Sequence, residues 1–296
     1  HLTNFALAGT NEVAQIDLIT RLHWVGYENN PTTVFANGFV TLGANKGKFN
    51  SEKNLFSSPE RTMGVFKHVL GGTVMYDRTG LLNNTHIRFN YGIHLPITQK
   101  LTVSATLGAG YGNMFFNGSK ARVVDQSDVY LPQMASMNQS VFQTTAGIGI
   151  YTQRLTAGLS INQLVKTAVK YDDLLTTGMY NPHLTANLSY EFTAGNISIT
   201  PQAMLRTSRD LKTIADFGAQ IQYNRALWLG IYGRTTKAMS IQLGANLFKS
   251  AYISYAVDFP FGKVMNVSNT SHEVRLGIYL GKKVKSKLLK KSSKPE

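Results

Sequence analysis

PHLTANLSYEFTAGNISITPQAMLR, residues 182–206, alternates polar and apolar side chains almost without a break. Leu184, Ala186, Leu188, Tyr190 and Phe192 fall on one face, and His183, Thr185, Asn187, Ser189 and Glu191 on the other. After the Ala194-Gly195-Asn196 turn, Ile197, Ile199, Ala203 and Leu205 oppose Ser198, Thr200, Gln202 and Arg206. The pattern repeats as far as Gly262, with Ala215 to Ile221, Leu227 to Ile231, Ile241 to Leu247 and Ile253 to Phe259 carrying the apolar positions. A period of two rather than 3.6 means strands, and strands that follow one another at once mean an antiparallel meander. Each run is about ten residues long. Strands of soluble sandwiches average about 5 to 6 residues, whereas a tilted transmembrane strand needs roughly 9 to 11.

The chain has 296 residues and no Pro/Ser/Gly-rich linker, which favours one domain. No window supplies the ~18 apolar residues of a transmembrane helix, so a membrane reading is a barrel reading. With no cysteine, disulfides, thiol catalysis and sulfur-ligated zinc are excluded. The start at His1 fits an expected mature form with its secretion signal removed. Net charge is +14, and half of it comes from Lys282, Lys283, Lys285, Lys287, Lys290, Lys291 and Lys294. The remaining basic residues are scattered over strand faces and loop ends without interleaved aromatics. No nucleic-acid partner is expected.

In chain order the reading is a leader over residues 1–12, an outer-membrane barrel over 13–280 and a basic tail over 281–296. Strands are expected at 13–24, 33–43, 63–76, 86–95, 101–114, 141–152 and 155–165, followed by six from Pro182 and a last one at 271–280. That makes an all-β, up-and-down antiparallel transmembrane barrel of about fourteen strands, and an even count brings both termini to one rim. The long connections 115–140, 166–181 and 261–270 fall on one rim, expected to face outside. Tight turns at 96–100, 153–154, 195–196, 224–225 and 249–250 fall on the other, expected to be periplasmic with both termini and the tail. The exception is 44–62, a long segment on the short-turn side; it is either a dock for a periplasmic partner or a sign of a miscounted strand pair.

If the apolar face meets lipid and lipopolysaccharide, the other face lines a lumen holding Asp17, Arg21, Arg88, Glu191, Arg206, Asp216, Arg234, Asp258, Glu273 and Arg275. Charges of both signs in a confined space are expected to pair and fix barrel shape, and mixed signs argue against a strongly selective pore. Gly108, Gly110, Gly147, Gly149, Gly158, Gly218 and Gly244 on the lumen face either admit a plug or relieve bends in tilted strands. Trp24, Tyr27, Phe115, Phe116, Tyr190, Phe192, Tyr223, Phe248 and Phe259 sit near strand ends, as interfacial girdles do. The histidines are dispersed, and no nucleophile–base set, phosphate loop or metal-ligand cluster stands out. Neither an enzyme nor a cofactor is expected.

Short motifs are spaced along nearly the whole chain. Asn4-Phe5-Ala6-Leu7-Ala8-Gly9 is followed by Arg21, Trp24, Gly26 and Pro31, then by Gly72, Asp77 and Gly80, and the last strand reads Ser271-His272-Glu273-Val274-Arg275-Leu276-Gly277. In that order they resemble the signature of the PorP/SprF family of the Bacteroidetes type IX secretion system. Phe5 stands where the family usually has Pro, and the lysine-rich tail is a further departure.

The resemblance implies a non-enzymatic outer-membrane barrel that works with the type IX translocon or its periplasmic subunits. It also implies docking or anchoring of secreted surface proteins that carry a type B C-terminal domain, such as gliding adhesins. The segments 116–140, 166–181 and 262–270 are the expected contact region, with Val123, Val124, Tyr130, Leu131, Met134, Met137, Tyr171 and Met179 as candidate contacts. The alternative is a passive channel or hydrophobic-solute transporter. An outer loop folded inward as a plug stays open beside the docking role.

Overall fold

The computed structural model describes residues 4–10, 14–26, 29–43, 65–118, 136–164, 167–171, 175–209, 211–247, 250–261 and 270–280. One 3-10 turn, Phe5–Leu7, precedes strands β1 (Ala14–Leu22), β2 (Thr32–Leu42), β3 (Lys67–Thr79), β4 (Leu82–Pro96), β5 (Thr102–Asn117), β6 (Ser136–Tyr151) and β7 (Leu155–Asn162). A hairpin, β8 (Thr167–Tyr171) with β9 (Leu175–Tyr180), follows. The chain then continues through β10 (His183–Tyr190), β11 (Phe192–Ala194), β12 (Ile197–Ser208), β13 (Leu211–Tyr223), β14 (Leu227–Arg234), β15 (Ala238–Leu247), β16 (Ala251–Pro260) and β17 (Ser271–Leu280).

All but β8 and β9 belong to one antiparallel sheet closed by β1 on β17, from Ala14 opposite Leu280 to Leu22 opposite His272. Strands β10 and β11 both pair with β12 and act as a single stave interrupted at Glu191, so the closed barrel has 14 strands. Closure leaves no strand as the free edge of the sheet, which an open sheet in lipid could not do.

Alternation decides which way each side chain points. Phe89 is 70% exposed, Leu107 65%, Phe217 58% and Leu243 56%, all on the outer face, while Gln15, Asp17, Asn37, Thr106 and Gln222 are buried inside. That inversion of a soluble protein is what a lipid solvent requires.

Several boundaries differ from the sequence reading. The β3–β4 turn is Gly80-Leu81 rather than a region beginning at Asp77, because Asp77 is already in register with Asn84 and Gly80 takes φ +61. Strands β5 and β6 extend toward each other, narrowing the excursion between them to 118–135. Strand β7 stops at Asn162 instead of 165, since Gln163 takes φ +60 and turns its N–H onto the carbonyl of Thr144. The segment expected as a plain loop at 166–181 contains the β8–β9 hairpin. The 44–62 segment and the basic tail 281–296 lie outside the described residues.

The wall is uneven in height. Strands β5 and β6 have 16 residues each, whereas β7 and β14 have 8. Sixteen residues at ~3.3 Å rise and ~40° tilt reach roughly 40 Å, beyond the ~25 Å apolar band of an outer-membrane barrel. Pairing with β7 begins at Thr145, so 136–144 of β6 rise past it, on the rim opposite the termini.

Candidate functional site: the lumen and its seam

Arg206, Asp216, Arg234, Asp258, Arg21 and Glu273 come from β12, β13, β14, β16, β1 and β17 and face one another inside the barrel. Asp216 receives Arg206 Nη2 and Arg234 Nε, each at 2.5 Å. Arg234 Nη1 lies 3.7 Å from Asp258 Oδ2; Asp258 also takes Arg21 Nη2, and Arg21 Nη1 lies 3.1 Å from Glu273 Oε2. The result is a ribbon of alternating charge across half the wall. Nearer the termini, the fully buried Asp17 accepts from Gln15 Nε2, from the Tyr252 hydroxyl and from Arg275 Nη2 at 3.2 Å, while the Arg275 guanidinium sits 5.4 Å from the centre of the Tyr252 ring. Paired in this way, groups that would be costly to strand away from water tie non-adjacent strands together.

Two of the candidate lumen charges stand apart. Arg88 gives Nη1 to Asn162 Oδ1 at 3.1 Å, and its buried Nε has no hydrogen-bond partner. Glu191 sits at the break between β10 and β11, where its carboxylate accepts from the Thr193 hydroxyl. Neither forms an ion pair with a described residue.

The seam also gathers the short motifs at the two ends of the chain. Trp24, at φ +51, donates its N–H to Ser271 Oγ at 3.1 Å; the N–H of Val25 bonds the carbonyl of Thr270, and that of His23 the carbonyl of Pro31. Thr33 Oγ1 links His23 Nε2 at 3.3 Å to Asp77 Oδ1 at 2.5 Å. Residues far apart in sequence thus close the barrel at the rim away from the termini.

The N-terminal residues enter the lumen. Asn4 caps the 3-10 turn by accepting the N–H of Ala6 at 3.0 Å, and Ala6 and Ala8 are fully buried. Ser104 Oγ donates to the carbonyl of Ala6 at 2.6 Å. Ala8 packs with Phe39 and Val69, and Phe5 lies against that cluster. The wall has been cut back to receive the segment. A Cβ on Gly149 would stand 2.9 Å from Leu7 Cδ2, one on Gly158 2.5 Å from Asn4 Nδ2, and one on Gly71 2.4 Å from Phe5 Cζ. Of the seven lumen glycines noted from the sequence, Gly147, Gly149 and Gly158 face this segment; Gly108, Gly110, Gly218 and Gly244 instead face neighbouring strands or their side chains. The sequence makes this segment a leader ahead of the first strand. Its signal was Asn4 as a helix cap ahead of alternating small residues.

Between the segment and the β12–β17 wall lies a cavity of about 640 Å³, reached by Leu7 and Thr10 on one side and by Gln202, Gln220, Gln242 and Tyr232 on the other. Of the candidate contact residues, Met137 is on β6 opposite Phe116, Tyr171 ends β8 and Met179 is on β9. Val123, Val124, Tyr130, Leu131 and Met134 lie outside the described residues, as do Tyr27 and Phe248 of the aromatic set. Tyr190 and Phe192 meet at the terminal rim with ring centres 4.7 Å apart and planes tilted by 53°. Among the described residues no group of three or more His, Cys, Asp or Glu could hold a metal ion.

The family model of the type IX secretion system membrane protein PorP/SprF matches residues 1–278. The chain belongs to that family. The PorP/SprF barrel is therefore an outer-membrane protein of a secretion system, crossing the membrane with its strands. No curated protein matches its sequence. Among solved structures it is similar to the CymD monoaromatic hydrocarbon channel (10% identity, 93% of this chain and 91% of that one, TM-score 0.53). It is also similar to the Acinetobacter baumannii outer membrane protein Omp33 (10% identity, 91% and 100%, TM-score 0.51). A third is a deletion mutant of the TodX monoaromatic hydrocarbon channel (11% identity, 93% and 93%, TM-score 0.50). At such identities the likeness is one of fold.

Proposed function

We propose that this PorP/SprF barrel docks exported proteins at the cell surface through the rim opposite its termini, taking a folded C-terminal domain of the type B kind as its cargo. The observation that carries the reading is the asymmetry of the two rims. Long connections at 118–135, 163–182 and 261–270 share one rim with the raised ends of β5 and β6. The β8–β9 hairpin stands beside them outside the barrel sheet, and among the described residues it pairs with no third strand. An unpaired strand edge on a rigid wall suits recognition of a β-rich domain by strand addition, with Met137, Tyr171 and Met179 as candidate contact positions. The termini, the 44–62 segment and the basic tail then face the periplasm, where translocon subunits are the expected partners.

The test is affinity purification of the tagged full chain from its host in mild detergent, with mass spectrometry of what co-elutes. A large surface protein is expected with the full chain and not with a variant in which a short Gly-Ser turn replaces 167–180. Isolation of the barrel alone from every detergent, or an unchanged partner after removal of the hairpin and the 118–135 loop, would overturn docking at this rim.

A further inference from the structure

The geometry points to a latched passage through the lumen for neutral, hydrogen-bonding solutes of saccharide size, with residues 4–10 as the latch. Two independent features carry it: the seat of the segment and the chemistry of the space beside it.

The seat is shaped for removable backbone rather than for a strand. Gly71, Gly147, Gly149 and Gly158 come from β3, β6 and β7, and each lacks the Cβ that would strike Phe5, Asn4 or Leu7. The segment is held by side-chain packing and not by the sheet. Among the described residues it has no strand pairing and takes one side-chain hydrogen bond from the wall, that of Ser104, beside a small apolar cluster around Ala8; Asn4 Nδ2 is buried with no partner. A segment outside the strand ladder can open at less than the global unfolding free energy.

The wall beside it is charge-balanced and the cavity it borders is rich in amides. Arg21, Arg206, Arg234 and Arg275 are matched by Asp17, Asp216, Asp258 and Glu273, four cations against four carboxylates, so this wall has no single-sign ring to select ions. Gln202, Gln220, Gln222, Gln242 and Asn246 line the cavity, and each primary amide offers donors and an acceptor side by side, the pattern that adjacent hydroxyls of a sugar satisfy. At about 640 Å³ the cavity falls within the roughly 300–1,000 Å³ of small-ligand sites. Withdrawal of Leu7 and Thr10 from its border would join it to the volume the segment fills.

The experiment is osmotic swelling of proteoliposomes in raffinose or in potassium gluconate, using the full chain, a deletion of residues 4–10, and Phe5→Ser/Leu7→Ser, which leaves every strand intact. Folding is checked by the heat-dependent shift of the band on a gel. Raffinose entry is expected to rise about tenfold or more in both altered chains, with gluconate well behind. Correctly folded variants that admit raffinose no faster than the full chain would overturn the latch. So would a full chain that is already as permeable, and preferential entry of gluconate would overturn the solute class. The docking role can fail without touching this result, since swelling needs no protein partner.

Discussion

Arg21 and Glu273 lie opposite each other on the two strands that close the barrel, the first and the last, with their charged ends 3.1 Å apart. Arg21 also holds Asp258, so removing it leaves Glu273 without its cation and Asp258 with only the longer contact to Arg234, while removing Glu273 leaves Arg21 still paired. Arg21→Met is therefore expected to cost about 2–4 kcal/mol and Glu273→Gln clearly less, below the full cost of breaking a deeply buried pair because all three side chains keep some solvent. The swapped pair Arg21→Glu/Glu273→Arg recovers only part, since Glu at position 21 would face Asp258. Urea titration of the refolded barrel in lipid measures all three.

The outer face predicts a depth-dependent penalty. Leu107→Arg puts a guanidinium on an outward position that is 65% exposed, at an expected cost of about 2–4 kcal/mol if it sits near mid-bilayer. Gln220→Lys, which turns into the cavity, is expected to cost under about 1 kcal/mol. Equal costs in the same titration would mean that the two faces are misassigned.

Two turns isolate backbone strain from packing. Gly80 and Gly195 have φ of +61 and +59, and a Cβ on either would meet nothing within 4 Å. Gly→Ala at each should thus cost about 1 kcal/mol for the left-handed backbone alone, and Gly→Asn less. A loss of several kcal/mol at either turn would show that hidden contacts matter there.

Gly149→Leu acts on the N-terminal segment without altering its sequence. Amides of residues 4–8 are expected to exchange with deuterium at least about tenfold faster than in the parent, while β5 and β6 keep their protection. Ser104→Ala should loosen the same amides by about 1 kcal/mol or less, the worth of one hydrogen bond. Slow exchange in both variants would mean that the segment is held by something other than this seat.

The barrel was legible because a period of two persists over spanning lengths: Leu184 and Leu188 on one face and Thr185 and Asn187 on the other leave little else for the chain to do. Alternation likewise put Arg21 and Asp258 on the same face. That they touch depends on how β1, β17 and β16 are staggered, and stagger is a property of closure that no single strand carries. The β8–β9 hairpin reads as loop in the sequence because runs of 5 and 6 residues fall short of a membrane-spanning strand. Phe5–Leu7 is shorter still, one turn whose shape comes from the glycine-lined wall around it and not from any periodicity of its own.

The hydroxyl of Ser104 reaches a carbonyl 98 positions earlier, and β1 waits for β17 to cover its second edge. Residues 4–10 and β1 are thus among the last to find their full set of contacts. Contacts of such sequence separation form slowly, so during insertion a growing barrel would have an untenanted interior and an uncovered edge on β1. The arrival of β17 on that edge then marks the completion of assembly.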